Sequence, residues 1–223
     1  MPQEERTDTR GRLLESACET FAEKGYYHAT VADICERAGA NIAAVNYYFR
    51  TKEGLYVETW RQAFARSLEV HPADGGTPPD AAAEDRFRSR IFALMHRVAD
   101  PNSREVDIIH KEIANPTGLL TEAMRQVLEP VQRGFAADIR ELLGEAVSER
   151  LVLLCQRSVM TQCVHFTLRE RYHRMGAAAG WKPGPPPLGL DIDAIAEHVF
   201  RFSLAAIREL RRQVEGGDLD EGE

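Results

Sequence analysis

The stretch with the most specific chemistry runs from Thr30 to Lys52 and reads TVADICERAGANIAAVNYYFRTK. Asn41, Ile42, Ala43 and Ala44 open a short helical segment. Small side chains there let a backbone approach the floor of a DNA major groove. An asparagine amide can pair with a base edge, and an isoleucine or alanine can touch a thymine methyl. Asn46, Tyr47 and Tyr48 follow one turn later. Tyrosine hydroxyls reach phosphate oxygens and so fix register without reading sequence. Thr51 is placed to cap a further helix beginning at Lys52, and a lysine on a helix N-terminus is a natural phosphate site. This chemistry is recognition, with no bond made or broken.

The elements that must position these groups are also legible. Thr30 with Asp33 forms an [ST]-x-x-[DE] capping box that starts a helix. Ile34 and Ala38 face inward from it, and Gly39 supplies a turn free of Cβ clash. Asn41 caps the second helix, expected over Ile42 to Tyr48. Two short helices joined by a glycine-containing turn form a helix-turn-helix. Upstream, Leu13, Leu14, Ala17, Cys18, Phe21 and Ala22 make one helical stripe, with Gly25 as its stop. Downstream, Leu55, Tyr56, Thr59, Trp60, Ala63, Phe64 and Leu68 repeat that spacing.

Residues 9–60, with LLESACETFAEKGYYHATV, IC-RAG and VNYYF-TKEGLY, resemble the DNA-binding domain of the TetR family of transcriptional regulators. The second half, with HKEIANPT and a closing helix after a Pro-rich loop, is similar to the CecR-like branch of that family. The resemblance implies an all-α regulator: an N-terminal three-helix helix-turn-helix DNA-binding domain followed by a helical ligand-binding and dimerisation bundle. It implies phosphate contacts at Thr30, Tyr47, Tyr48 and Lys52, and base reading at Asn41, Ile42, Ala43 and Ala44, with Asn46 shared between the roles. Many members carry His where this chain has Tyr48, and a tyrosine can still donate to a phosphate. The implied partners are double-stranded palindromic operator DNA, a small-molecule inducer and a second copy of the chain. The implied regulator is a repressor.

Composition bounds the rest. The chain has 223 residues and a net charge of −7, which excludes a protein that coats nucleic acid through bulk positive charge. Even residues 1–61 hold eight Lys+Arg against ten Asp+Glu, a net of −2. Arg6, Arg10, Arg12, Arg37, Arg50 and Lys52 must therefore cluster on one face for DNA to bind well. No apolar run is long enough to span a membrane, and the polar start MPQEERTDTRGR has no signal-peptide core. A cytoplasmic protein is expected.

Gly- and Pro-rich loops fall at 71–83 and 176–189. The expected domains are 1–70 for DNA, 71–214 for ligand and dimer, and a disordered acidic tail over 215–223. Helices are expected at 83–100, 104–114, 118–143, 148–173 and 191–214, with Pro130 kinking the third. LVLLCQRSVMTQCVHF (151–166) is apolar on two faces, and the last helix carries Ile195, Ala196, Val199, Phe200, Ser203 and Ile207 at core spacing. A homodimer through these last two helices would set two reading heads one DNA turn apart.

An inducer needs a mostly apolar cavity with a few polar groups. Phe92, Met95, Met124, Met160 and Phe166 supply candidate walls, and His110 and Gln162 candidate polar contacts. His110 and Glu112 project about 200° apart on a helix, so only one can face a pocket. His110 is preferred because Ile109 and Ile113 flank it. Cys155 and Cys163, near His165, leave a redox or metal sensor conceivable beside the commoner buried thiol. His110, Glu112 and His165 could do acid–base chemistry, but no glycine-rich loop, nucleophile elbow or zinc spacing supports an enzyme. No cofactor or resident metal is expected.

Overall fold

The computed structural model describes residues 3–144, 147–178 and 188–217. Among them it is all-helical: α1 (Gln3–His28), α2 (Val31–Ala38), α3 (Ile42–Phe49), α4 (Lys52–Val70), α5 (Ala83–Ala99), α6 (Arg104–Ala114), α7 (Thr121–Leu143), α8 (Glu149–Ala178) and α9 (Ile192–Gly216). The expected all-α class is what is found. The α8 helix runs on to Ala178, beyond the expected 173. The expected disordered tail begins as helix, with Glu215 and Gly216 closing α9 and Gly217 capping it at φ 70°. Residues 218–223 of that tail and 179–187 of the second loop lie outside the described residues.

Local chemistry explains the ends. In α1 the regular helix breaks at Gly25 (φ 71°, ψ 175°), and one further turn reaches His28. The positive φ at Gly25 favours glycine, while a Cβ there would meet the Lys111 stem at an ordinary contact distance. The α9 start is held by Asp191, whose carboxylate accepts from the Ala194 N–H at 2.7 Å. Pro130 lies inside α7, where it removes one helical N–H donor.

The chain folds as two compact units. The first holds residues 1–69 and 102–128, and the second 70–101 and 129–223. This grouping differs from the expected division at residue 70, because α6 and the first part of α7 pack with the N-terminal helices. The chain therefore passes between units three times, at 69/70, beside Pro101, and inside α7 just before Pro130.

In the first unit α6 packs along α1. The shared interior holds Leu13, Leu14, Phe21, Ile34, Leu55, Trp60, Phe64 and Ile108, all at most 2% exposed. Each such side chain contributes about 1.5–3 kcal/mol by leaving water. Polar bonds add geometry: Arg104 Nε donates to Glu19 at 3.0 Å, Arg61 reaches Gln126 at 2.7 Å, and the Ser67 and Ser103 hydroxyls meet at 3.2 Å. In the second unit α5 packs on α8 and α9. Phe87 lies 6.4 Å from Phe135 and 6.2 Å from Phe200, ring centre to ring centre. Asp138, on α7, accepts from Arg86 Nε at 2.8 Å and Arg90 Nε at 2.6 Å.

Candidate nucleic-acid interface

Each helix start in the reading segment is fixed by a side chain three residues before the N–H it caps. Thr30 Oγ1 accepts from the Asp33 N–H at 3.0 Å, and the Asp33 carboxylate accepts from the Thr30 N–H at 3.3 Å. The capping box is therefore closed in both directions. Gly39 ends α2 in the left-handed region at φ 59°. Asn41 Oδ1 accepts from the Ala44 N–H at 2.9 Å and starts α3. Thr51 Oγ1 accepts from the Gly54 N–H at 3.1 Å and starts α4.

The α3 helix has two unlike faces. Val45 and Phe49 are buried and anchor it. Asn41, Ile42, Ala43, Asn46 and Tyr47 are exposed, with Ala44 and Tyr48 half-buried. Ile42 at 54% and Tyr47 at 62% exposure are apolar area that a monomer gains nothing by presenting to water. The Tyr47 and Tyr48 rings meet edge to face at 4.9 Å, which limits their rotamers. Asn41 has a dual position: its oxygen is spent on the cap, while its amide N–H groups lie on the exposed face.

The nine residues proposed from sequence for DNA thus lie on α3 or at the helix starts flanking it. Lys52 is the most altered in surroundings. Its ammonium sits 4.2 Å over the Tyr26 ring, and burial lowers its pKa. Tyr26 itself donates to Glu53 at 2.8 Å. Burial, then that hydrogen bond, pushes its hydroxyl up to about 12.

Three of the arginines expected on one basic face are engaged with carboxylates. Arg10 pairs with Glu58 at 2.6 Å, Arg12 with Asp8 at 3.3 Å, and Arg37 with Glu23 at 3.0 Å. Arg10 also lies 5.6 Å from the Phe49 ring centre. The Arg6 side chain lies outside the described residues. Among the described residues, Arg50 and Lys52 are the two of that set without an ion pair.

One residue the sequence reading passed over shapes this site. A Cβ at Gly54 would stand 2.4 Å from the Phe49 carbonyl oxygen, so α4 can approach the end of α3 only with glycine there. A glycine in the first turn of a helix, where it weakens helix formation, was the available signal. Glu112, set aside in the sequence in favour of His110, is the better held of the two. It accepts from Tyr56 Oη at 3.1 Å, from the Thr117 N–H at 2.9 Å and from the Gly118 N–H at 3.0 Å. Burial, then the Glu112 charge, raises the Tyr56 hydroxyl.

Glu112 also corrects the expectation for α6. His110 stands exposed, and the flanking Ile113 is itself 72% exposed. The helix turns Glu105, Asp107 and Ile108 inward instead. The expected ligand residues divide between units: His110 and Met124 lie in the first, and Phe92, Met95, Met160, Gln162 and Phe166 in the second. Met95 is fully buried, and Phe92, Met124, Met160, Gln162 and Phe166 are half-buried. Arg88 covers the Phe92 ring at 4.1 Å, and Gln162 donates to the Ser158 carbonyl at 3.3 Å.

Cys155 and Cys163 are buried free thiols, and burial raises both, Cys163 to about 12. A reactive thiol needs the opposite shift. Among the described residues no cluster of three or more His, Cys, Asp or Glu could hold a metal ion. Among them, too, no helix is long and apolar enough to cross a membrane.

Two family models match the chain in succession. Residues 13–59 match the model of bacterial regulatory proteins of the TetR family. Residues 83–207, more than half of the chain, match the C-terminal domain of the HTH-type transcriptional dual regulator CecR. The probable HTH-type transcriptional regulator YttP of Bacillus subtilis is 25% identical over 152 residues, 66% of this chain and 70% of that protein. The HTH-type transcriptional repressor AcnR of Corynebacterium glutamicum is 36% identical over 125 residues, 53% of this chain and 63% of that protein. Among solved structures, the regulator FadR of Bacillus subtilis, in complex with stearoyl-CoA, superposes with a TM-score of 0.65 at 15% identity. That match covers 88% of this chain and 98% of FadR, and identity this low speaks to fold alone.

Proposed function

Because this chain belongs to the TetR family of bacterial regulatory proteins and carries a C-terminal domain of the CecR type, we propose that it is a sequence-specific repressor. In this reading it leaves a palindromic operator when a small molecule binds its C-terminal helices. That it is a transcriptional regulator and not an enzyme follows from the family. The observation that carries the finer reading is the exposed face of α3, where Ile42, Ala43, Asn46 and Tyr47 stand clear of the buried Val45 and Phe49.

In this reading Asn41, Ile42, Ala43, Ala44 and Asn46 meet base edges. Thr30, Tyr47, Tyr48 and Lys52 hold phosphates. The repressor name of AcnR supports the direction of control. A two-fold dimer would present two such helices to one palindrome. Exposed apolar residues on the last two helices support that pairing: Leu153 and Leu154 on α8, and Phe202 on α9. They lie outside the buried face of Val152, Cys155, Val159 and Cys163.

Release requires a ligand that binds one conformation better than another, and the shift can be no larger than that difference. The candidate walls are Phe92, Met95, Met160, Gln162 and Phe166, all within the second unit. Coupling would pass along the three chain crossings, so α4 shares the task with Pro101 and α7.

The test is a binding titration of the purified protein against DNA upstream of its own gene, at two salt concentrations with competitor DNA. A competitor-resistant, sequence-selective complex is expected. Binding that competitor removes at low salt would overturn the reading.

A further inference from the structure

We infer that Arg50 is an additional phosphate contact, held in place at the expense of backbone strain. The inference rests on the DNA-binding reading above and assigns a residue that it leaves out.

Arg50 has φ 67° and ψ −49°, and among the described residues it is the one non-glycine with positive φ. The Thr51 N–H bonds back to the Phe49 carbonyl at 2.8 Å, across Arg50 alone. These angles and that bond define a classic γ-turn, a rare and strained form. The surroundings impose it. Phe49 is buried at 8% exposure, and the Arg50 N–H is still tied to the Asn46 carbonyl at 3.2 Å. Thr51 caps the next helix, and Gly54 leaves room for the Phe49 carbonyl oxygen that the turn aims at it. Any residue at this position must adopt positive φ, and glycine would do so without strain.

Glycine is absent, so the side chain is what the position retains. That side chain is exposed, with no ion pair among the described residues. The nearby arginines differ: Arg10, Arg12 and Arg37 are each committed to a carboxylate. Arg50 also directly follows Tyr47, Tyr48 and Phe49 and precedes Thr51 and Lys52, at the rim of the proposed reading face. A guanidinium there adds one cation without widening the basic patch of a domain whose net charge is negative. Strain kept at a functional rim is a recognised pattern, and here it points from the observed outlier to a role.

The test uses the full-length protein, a fluorescein-labelled duplex of random sequence, and the variants Arg50→Gly, Arg50→Gln and Arg50→Lys. Each phosphate contact adds about 0.9 to the salt slope of log K. Arg50→Gly and Arg50→Gln should each lose about that much per bound protomer and bind roughly five- to tenfold more weakly at low salt. Arg50→Lys should keep the slope. Arg50→Gly should melt at or above the wild-type temperature, because it relieves the turn; Arg50→Gln, which keeps the strain, should not gain. Salt slopes for the Gly and Gln variants that superpose on wild type would overturn the proposal. Arg50→Gly melting well below wild type would overturn the strain argument, and the Gln variant would then decide the contact. A wild-type protein that fails to bind the duplex at low salt would instead overturn the DNA-binding reading itself.

Discussion

The reading segment and the C-terminal bundle solve the same polar problem at different ranges. Between Thr30 and Gly54 every cap is closed three residues away: Thr30 with Asp33, Asn41 with Ala44, Thr51 with Gly54. In the second unit several arginines instead find distant partners. Arg86 meets Asp138 across 52 positions, Arg171 meets the Val98 carbonyl across 73, and Arg88 meets Glu197 across 109. A local solution can be read from a short stretch and persists while its neighbours change. A distant one exists only after the chain has packed. One region therefore carries a motif that a sequence displays, and the other carries a bundle whose interior a sequence conceals.

The largest expected effect tests the distant kind. Asp138 has a side chain 3% exposed between Arg86 and Arg90, which are 14% and 16% exposed. Asp138→Ala should cost about 3 kcal/mol, the low end for a broken buried pair, because Arg90 loses its carboxylate while Arg86 keeps Glu141. Urea denaturation followed by circular dichroism measures it. A loss below about 1 kcal/mol would mean the network is no more than a surface pair.

Gly54→Ala comes next and probes the boundary between the two kinds. Its Cβ would meet a backbone oxygen at 2.4 Å, which cannot swing away. A loss of about 1–3 kcal/mol is expected, together with weaker DNA binding as α3 and α4 are forced apart. Wild-type stability and affinity in the variant would show that the two helices can separate freely.

Asn41 separates local folding from recognition. Asn41→Ala should cost about 1 kcal/mol through the lost cap and relax preference at one base position. Asn41→Asp should keep the melting temperature, since a carboxylate also accepts from the Ala44 N–H. It should weaken DNA binding by about tenfold or more by setting a negative charge toward phosphates. Equal DNA binding by all three proteins would remove Asn41 from the interface.

The smallest effect is a pH dependence in the capping box. The Asp33 carboxyl is held below its ordinary value by the Lys24 ammonium at 2.7 Å and by Thr30. A folded pKa below the unfolded one stabilises above the unfolded value, and the contribution fades as pH falls through the folded value. Melting curves of wild type minus Asp33→Asn should therefore be flat above about pH 5 and fall together below about pH 4. A constant difference down to the acid limit would deny Asp33 this role.

The sequence by itself determined the helices, their caps and the exposed side of α3. Thr30, Gly39, Asn41 and Thr51 act on bonds within four residues, and the buried Val45 and Phe49 follow from helical period. Those are properties of a short chain segment, so the segment suffices to read them. Tertiary structure decided what needs distant partners. It joined residues 102–128 to the N-terminal helices, turned Glu112 inward and His110 outward, and paired Arg10 and Arg37 with carboxylates. It also bent the chain at Arg50, because the buried Phe49 and the close approach at Gly54 leave no other path. Burial and pairing depend on which surfaces meet, and no local pattern records which side chain a distant helix will find.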